Sequence, residues 1–173
     1  TRNPRVGEIE GKSYFFKTKE EFEAMVDRGE FLEHAMIYDN YYGTPKKAIF
    51  DELDMGRDVI LEIEMQGAMQ IKEVYPQAVF IFVLPPSLQE LRNRIVGRGT
   101  ETEEQIEKRF NSAYDEIKLL GDYDYFIFNN IVEKSAEEIL NILEVEKNKV
   151  SRYKKDILDM FEKEIKNVKT IIK

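Results

Sequence analysis

The stretch from Val59 to Gly67 most constrains the fold of this chain, because apolar and polar residues alternate along it. With a period of two, the odd-numbered positions share an apolar face, and Glu62 and Glu64 stand together on the other face of a predicted strand. Ligands of open α/β sheets bind outside the carboxyl ends of strands, so both acids are candidate site residues. An edge strand with one wet, acidic face explains the same pattern, and the segment alone leaves both interpretations open.

Strands and helices are predicted to alternate along the chain, which specifies an α/β fold with a mostly parallel sheet. A helix is expected after Gly67 over 68–74, and further strands are expected over 13–16, 31–38, 78–84 and 123–129, with 78–84 buried on both faces. Capping pairs predict four helix starts: Thr18 with Glu21, Ser87 with Glu90, Thr100 with Glu103, and Ser135 with Glu138. A turn is predicted over 39–43. After it, Thr44–Pro45 predicts the start of a fifth helix that runs to Gly56.

Composition narrows the possible environments and partners. The 173 residues, 42% hydrophobic and 35% charged, suit one soluble domain, and no apolar run approaches the roughly 18 residues of a membrane span. The absence of cysteine indicates a reducing, cytoplasmic location. A net charge of -8 argues against broad binding of nucleic acid. The tail from Lys147 to Lys173 has nine Lys and Arg and four acids, so its formal net charge is +5. The remainder of the chain therefore has a net charge of -13.

That tail also carries an apolar stripe, at spacings of three and four from Val150 onwards, and is predicted to form an amphipathic helix with a basic outer face. At the other end of the chain, Arg2 and Arg5 lie three apart on a loop stiffened by Pro4. Two guanidinium forks that converge on one point suit a phosphate group. Two solvated arginines are the simpler interpretation of the pair taken by itself.

Seven motifs in order resemble those of the guanylate kinase family, up to about residue 148. They are TRNPRVGEIEGKSYFF, GEFLEHA, NYYGTP, ILEIEMQGA, LPPSLQEL, GRGTETEE with a following KRF, and YDYFIFNN. The resemblance implies a P-loop kinase-like fold, with a mostly parallel sheet flanked by helices. It also implies a GMP-binding subdomain over 1–46, a core over 47–93 and 113–150, a small lid over 94–112 and a C-terminal helix over 151–173.

The resemblance further implies transfer of the γ-phosphoryl group of ATP to GMP, with Mg²⁺ carried by ATP. Candidate catalytic residues are then Arg5, Arg98 and Arg109, the last two being lid arginines that close over the ATP phosphates. By position, the implied GMP-binding residues are Arg2, Arg5, Tyr14 and Tyr42 at the phosphate, Glu33 and Thr44 at the guanine, and Glu62 and Glu64. Arg98, Asn129 and Asn130 are the implied ATP-binding residues, and no residue is assigned as a metal ligand.

The chain departs from the family pattern at three places. Glu64 and Asn130 stand where the family usually has Asp, and the 173 residues contain no Gly-x-x-x-x-Gly-Lys-Ser/Thr P-loop. The family's P-loop and the strand before it precede the residues that match Thr1, so an upstream segment is expected. Without that buried strand, on the order of 10 kcal/mol of apolar burial is missing, comparable to the stability of a whole domain. The 173 residues alone are therefore expected to fold poorly and to be inactive.

Two other functions compete with the kinase. One is a non-catalytic guanylate-kinase-like interaction module that binds a peptide where GMP would sit, and the other is an inert product of truncation. The eight residues that match the family's GMP and lid positions favour the enzyme: Arg2, Arg5, Tyr14, Glu33, Tyr42, Thr44, Arg98 and Arg109. The sequence does not indicate an oligomeric state.

Overall fold

The computed structural model describes residues 1–37, 39–97 and 102–171, and divides into two compact units, Thr1–Ala78 and Val79–Lys173. The first unit contains α1 (Lys19–Asp27), β1 (Phe31–Ile37), β2 (Asn40–Pro45), α2 (Lys46–Asp54) and α3 (Met65–Val74). The second contains β3 (Ile81–Leu84), α4 (Leu88–Gly97), α5 (Glu103–Ile117), a short 3₁₀ helix (Leu120–Asp122), β4 (Tyr125–Phe128), α6 (Val132–Glu146) and α7 (Val150–Ile171).

An antiparallel hairpin of β1 and β2 organises the first unit. The register places Glu33 opposite Thr44. The Phe22 ring of α1 stacks on Phe31 of β1, with ring centroids 4.4 Å apart, and on Tyr41 of β2 at 5.4 Å. α3 packs on β1 and contributes to the same core. The buried apolar residues of this unit are Phe22, Phe31, Ala35, Ala68 and Ile71.

Two of the predicted helix starts are confirmed. The Thr18 side chain accepts the Glu21 N–H at 3.1 Å and the Glu21 carboxylate accepts the Thr18 N–H at 2.8 Å, which is the reciprocal capping box predicted for α1. The Ser87 hydroxyl likewise accepts the Glu90 N–H at 3.1 Å at the start of α4.

The predicted turn over 39–43 is wrong, because residues 40–45 form strand β2. Pairing with β1 satisfies the backbone polar groups of this segment, and that outweighs the turn propensity of Asp, Asn and Gly. The following helix therefore begins at Lys46, with Pro45 rather than Thr44 at the N-cap, and it ends at Asp54, before Gly56.

The strand predicted over Val59–Gly67 is also wrong. Residues 59–64 form no strand, and 65–67 are the first turn of α3. The predicted alternation is nevertheless present, because Val59, Leu61 and Ile63 are partly buried while the even-numbered positions from Ile60 to Gln66 are exposed. A strand requires a hydrogen-bonded neighbour, and the described residues provide none beside this segment.

Other local predictions fail for similar reasons. The segment 13–16 makes only an isolated bridge between Glu10 and Tyr14, so it is not a strand. Thr100 lies outside the described residues, and the capping box of α5 joins Thr102 to Gln105, so Glu103 is its first helical residue rather than a capping partner.

The capping pair at Ser135 is wrong as well, because α6 begins at Val132. Ser135 therefore lies inside the helix, and its buried hydroxyl donates to the backbone carbonyls of Ile131 at 3.0 Å and Phe128 at 3.2 Å. Its bond to the Ile131 carbonyl is the contact that serine makes four residues back inside a helix, not a capping bond.

A parallel pair of strands organises the second unit. β3 and β4 pair in register from Ile81 with Tyr125 to Leu84 with Phe128, and the chain between them contains α4 and α5. Ile127 is almost fully buried, but Val83 is 49% exposed. The prediction that this segment is buried on both faces is therefore wrong for β3 in the described structure, because the sheet has only two strands there.

A buried carboxylate joins β4 to the ends of α6 and α7. Glu146 accepts hydrogen bonds from Tyr125 Oη at 2.8 Å, Lys149 Nζ at 3.0 Å and Arg152 Nη2 at 2.8 Å. The Arg152 and Lys149 bonds, in that order, lower the pKa of Glu146 to about 2. This cluster holds the first turn of α7 against the body of its unit.

The predicted amphipathic tail is helix α7. Its apolar side chains at Val150, Tyr153, Ile157, Phe161 and Ile165 are 42–68% exposed. Within the part of the chain that the structure describes, no helix is long and apolar enough to cross a membrane.

Candidate functional site

The loop before α1 brings Arg2 and Arg5 to one carboxylate. Both terminal nitrogens of Arg2 donate to Glu8, each at 2.6 Å, and the backbone N–H of Arg5 donates to the same carboxylate at 2.7 Å. A turn at Val6–Gly7, where Gly7 has a φ of 90°, folds Glu8 back onto the two arginines. The side chain of Arg2 is only 13% exposed, whereas Arg5 is exposed.

Two tyrosines complete this cluster. The Arg2 guanidinium lies over the Tyr14 ring, 5.1 Å from its centroid, and the Tyr14 and Tyr42 rings meet edge to face at 6.1 Å. The loop is tied to β2 because Thr1 Oγ1 accepts the Tyr41 N–H at 2.8 Å. Of the four residues predicted at the phosphate of GMP, Arg2, Tyr14 and Tyr42 thus bring their side chains together, whereas Arg5 joins the cluster through its backbone N–H.

The electrostatics of the cluster are those of a tight ion pair between Arg2 and Glu8. The Arg2 hydrogen bonds, with the Arg5 backbone N–H, hold the pKa of Glu8 at about 2. In return Glu8, with a smaller contribution from Tyr42, raises the pKa of Arg2 above its ordinary value. A planar fork that holds two carboxylate oxygens has the geometry to hold two phosphate oxygens.

The predicted guanine residues form a second cluster. Glu33 on β1 is 5% exposed, and Thr44, opposite it on β2, donates its hydroxyl to Glu33 Oε1 at 2.6 Å. Each carboxylate oxygen can accept two hydrogen bonds, so this bond leaves capacity for further donors. Because a buried carboxylate without hydrogen-bond donors is energetically unfavourable, burial favours the binding of further donors to Glu33.

Helix α3 closes the other side of this cluster. Gly67 is buried against the Glu33 side chain, and a Cβ at that position would lie 2.9 Å from Glu33 Cδ. Gln70, three residues further along the helix, receives the His34 N–H at 3.1 Å and donates to the His34 carbonyl at 2.8 Å. The carboxylate therefore lies between the hairpin and α3.

The remaining candidates of the first unit are Glu62 and Glu64. Both side chains are exposed in the extended segment before α3, and Glu64 occupies the N-cap position of that helix without a side-chain capping bond. Within the described ranges, neither carboxylate hydrogen bonds to another candidate residue, so the structure does not join them to the two clusters.

In the second unit the predicted adenine loop follows β4. The backbone N–H of Asn129 donates to the Leu84 carbonyl at 2.7 Å and extends the strand pairing by one residue, while Asn130 is exposed. Both residues stand at the carboxyl ends of parallel strands, where α/β proteins bind ligands. Arg109 is partly buried on α5. Arg98 lies outside the described residues.

Sequence reasoning missed three residues of these clusters. Glu8 had a signal, because an acid three residues after Arg5 can fold back across a turn that contains Gly7. Gly67 was interpreted as the end of a strand, and only the folded structure shows the close approach of Glu33. Gln70 had no sequence signal, since its partners are backbone atoms 36 positions away.

Comparison with known proteins identifies the family. The family model described as "Guanylate kinase" matches residues 1–146. A relative named guanylate kinase, from Clostridioides difficile (strain 630), is 66% identical over 165 residues, which cover 95% of this chain and 80% of the relative. The chain belongs to the guanylate kinase family. A second relative with that name, from Clostridium tetani (strain Massachusetts / E88), is 54% identical over 91% of this chain and 76% of its own length.

A solved structure supports the same family. The crystal structure of guanylate kinase from Anaplasma phagocytophilum superposes with a TM-score of 0.75 at 39% sequence identity, and the match covers 86% of this chain and 73% of that one. The predicted α/β, P-loop kinase-like fold is thereby confirmed, as is the resemblance to guanylate kinases drawn from the seven motifs.

Proposed function

We propose that this guanylate kinase family member transfers the γ-phosphoryl group of ATP to GMP and gives ADP and GDP. The observation that carries the proposal is the buried Glu33 carboxylate, bonded to Thr44 within the unit that also contains the Arg2 cluster. One unit thus contains an acceptor suited to a base and a cationic cluster suited to a phosphate.

The base specificity follows from the chemistry of the carboxylate. Guanine has adjacent N1–H and N2–H₂ donors, whereas adenine lacks this pair of donors. An ionised carboxylate is an acceptor-only group with two oxygens, so Glu33 can accept both guanine bonds while Thr44 orients it. Residues 1–46, which contain these two side chains, are the proposed GMP-binding subdomain.

The phosphate of GMP is assigned to Arg2, Arg5, Tyr14 and Tyr42. Two guanidinium groups and two phenol hydroxyls can neutralise and orient a dianion. On the ATP side we assign the phosphates to Arg98 and Arg109 of a lid over 94–112, and the adenine to Asn129 and Asn130. Phosphoryl transfer spreads charge over the equatorial oxygens, and closing arginines stabilise that charge.

Mg²⁺ enters with ATP as part of the substrate, and its charge helps to neutralise the transferred group. Glu62 and Glu64 have exposed carboxylates in the first unit and are assigned to contacts with GMP. We place the reaction in the cytoplasm, in purine nucleotide metabolism. That the 173 residues alone are inactive stays a prediction, so each assay below uses the complete protein as its gene encodes it.

The test is a coupled assay of ADP formation with GMP or AMP as acceptor. Replacing Glu33 by Gln puts an amide in place of an acceptor-only group, which then retains at most one of two bonds to guanine. A hydrogen bond to a charged group is worth about 1.5–3 kcal/mol, so kcat/KM for GMP should fall about 10- to 150-fold. AMP should be a poor acceptor for both proteins, so the GMP:AMP ratio should fall through the loss on GMP.

The matched control is Glu73→Gln, which changes an exposed carboxylate of α3 and should leave the GMP:AMP ratio within about twofold. An unchanged ratio in the Glu33→Gln protein would show that guanine is recognised elsewhere. A complete protein with no ATP-dependent turnover of GMP would favour the non-catalytic interaction module.

A further inference from the structure

Gln70 holds the edge of β1 that faces away from β2. Its side-chain oxygen accepts the His34 N–H at 3.1 Å and its amide nitrogen donates to the His34 carbonyl at 2.8 Å. These are the two bonds that a neighbouring strand would make, so one side chain replaces a strand at this residue. Without that side chain, both backbone groups would need other partners in a partly buried position.

The residue that Gln70 holds is adjacent to Glu33. Side chains alternate along a strand, so Glu33 and His34 project from opposite faces of β1, yet their backbones move together. A shift of His34 relative to α3 therefore shifts the Glu33 carboxylate by a similar amount.

Gly67 makes the position of Glu33 sensitive to such a shift. The Glu33 side chain lies so close to this residue that a Cβ would be 2.9 Å from Glu33 Cδ, and the side chain is only 5% exposed. Gly67 and Gln70 are three residues apart on α3 and so lie on the same face of the helix. One face of α3 thus supplies both the surface against which the carboxylate lies and the amide that holds its strand.

We propose that Gln70 is a positioning residue for base recognition, because its amide holds the His34 backbone and so determines where the Glu33 carboxylate meets guanine. This inference rests on the proposed function, since it assumes that Glu33 binds the base. Gln70 itself has no contact with the nucleotide in this proposal. Its effect should therefore appear in ground-state binding of guanine compounds rather than in the transfer step.

The experiment compares Gln70→Met and Gln70→Glu with the unchanged protein. Met has a similar length and keeps neither bond to His34, whereas Glu keeps the acceptor for the His34 N–H and loses the donor to its carbonyl. Calorimetry measures the Kd of GMP, and competition with GMP measures the inhibition constant of guanosine. The coupled assay separates KM from kcat. Gln77→Met is the control, because Gln77 is an exposed glutamine of the same unit.

For Gln70→Met we expect the Kd and KM of GMP to rise about tenfold and guanosine binding to weaken by a similar factor. The change in kcat should be less than about threefold. The Kd and KM of Gln70→Glu should lie between those of Gln70→Met and those of the unchanged protein. Gln77→Met should have the same Kd and KM as the unchanged protein. The proposal is overturned if Gln70→Met lowers the melting temperature while Kd, KM and guanosine binding stay within twofold. It is also overturned if Gln70→Met does not fold and Gln70→Glu binds GMP normally.

The two proposals can fail separately. If the unchanged protein binds GMP but does not phosphorylate it, the proposed function is wrong and calorimetry still decides the role of Gln70. If the unchanged protein is active and neither Gln70 variant changes GMP binding, only the role of Gln70 is wrong.

Discussion

At the scale of single residues, Glu8 organises the cationic loop. Its carboxylate accepts hydrogen bonds from both terminal nitrogens of Arg2 and from the backbone N–H of Arg5, so it positions the Arg2 guanidinium and the Arg5 backbone. Because its pKa is about 2, Glu8 is ionised throughout the neutral range and this arrangement does not depend on pH there.

A substitution tests that role. Glu8→Gln keeps an acceptor for one donor but loses the charge and the two-oxygen fork, so Arg2 becomes less well oriented. We expect KM for GMP to rise about threefold to tenfold with a smaller change in kcat, because the phosphate is bound in the ground state.

Guanosine provides the comparison for Glu8, since it has the base and lacks the phosphate. Its competitive inhibition constant should stay within about twofold in Glu8→Gln, in contrast to the loss expected for Gln70→Met. A rise in the guanosine constant equal to that in KM would contradict the assignment of this loop to the phosphate.

Residue types in the site could be predicted from the sequence, but their contacts could not. Arg2 and Arg5 are spaced for one oxyanion, but the structure brings the Arg2 side chain and only the backbone N–H of Arg5 to the Glu8 carboxylate. The nearness of Gly67 to Glu33 depends on how a helix packs on a hairpin, which no local pattern encodes. The types therefore follow from chemistry, whereas the contacts follow from tertiary packing.

At the scale of elements, the local capping signals at Thr18 and Ser87 succeeded, whereas the one at Ser135 failed because α6 begins at Val132. The Thr18 capping box is complete within four residues, and it formed as predicted. The segment 59–64 retains its alternation of exposure but is not a strand, because strand formation depends on a partner elsewhere in the chain. The segment 39–43 is predicted as a turn for the same reason, since the pairing of residues 40–43 with β1 could not be inferred from their own sequence.

The junction of β4, α6 and α7 depends on one charge, and this predicts a pH dependence. The ordinary pKa of Glu146 is 4.5, and its folded value is about 2. A carboxylate with a lowered folded pKa contributes stability that is present above about pH 4.5 and is lost as the pH falls through about 2. Glu146→Gln should therefore be less stable than the unchanged protein at pH 7, with the difference shrinking below pH 4.5.

Thermal unfolding from pH 2 to 7 measures this difference. Charge-assisted hydrogen bonds are worth about 1.5–3 kcal/mol, so Glu146→Gln should lower Tm at pH 7 by roughly 3–10 °C. Glu144→Gln is the control, because the Glu144 carboxylate forms an exposed ion pair with Lys147, and this substitution should change Tm by less than about 2 °C. A Tm difference for Glu146→Gln that is constant across this pH range would contradict the assigned charge effect.

At the scale of the whole molecule, the two units divide the chemistry of the proposed reaction. The residues proposed to bind GMP lie in Thr1–Ala78, and the described residues proposed to bind ATP lie in Val79–Lys173. The finer division into a core over 47–93 and 113–150, a lid over 94–112 and a C-terminal helix over 151–173 stays a prediction. The residues proposed to bind ATP are assigned to the transfer step, so substitutions of them should affect kcat while GMP binding is retained.

Arg109, which lies in the proposed lid and is described by the structure, allows this division to be tested. If its guanidinium stabilises charge that develops on the transferred phosphoryl group, its contact is strongest in the transition state. Arg109→Ala should then lower kcat about 100- to 1000-fold, with less than about a threefold change in KM for GMP, and Arg98→Ala should act in the same direction. Lys108→Ala removes an exposed positive charge from the adjacent position of α5 and should leave kcat within about twofold. Steady-state kinetics at saturating ATP separates the two constants. An Arg109→Ala protein that changes only the KM of GMP would place this arginine with the acceptor rather than at the transferred group.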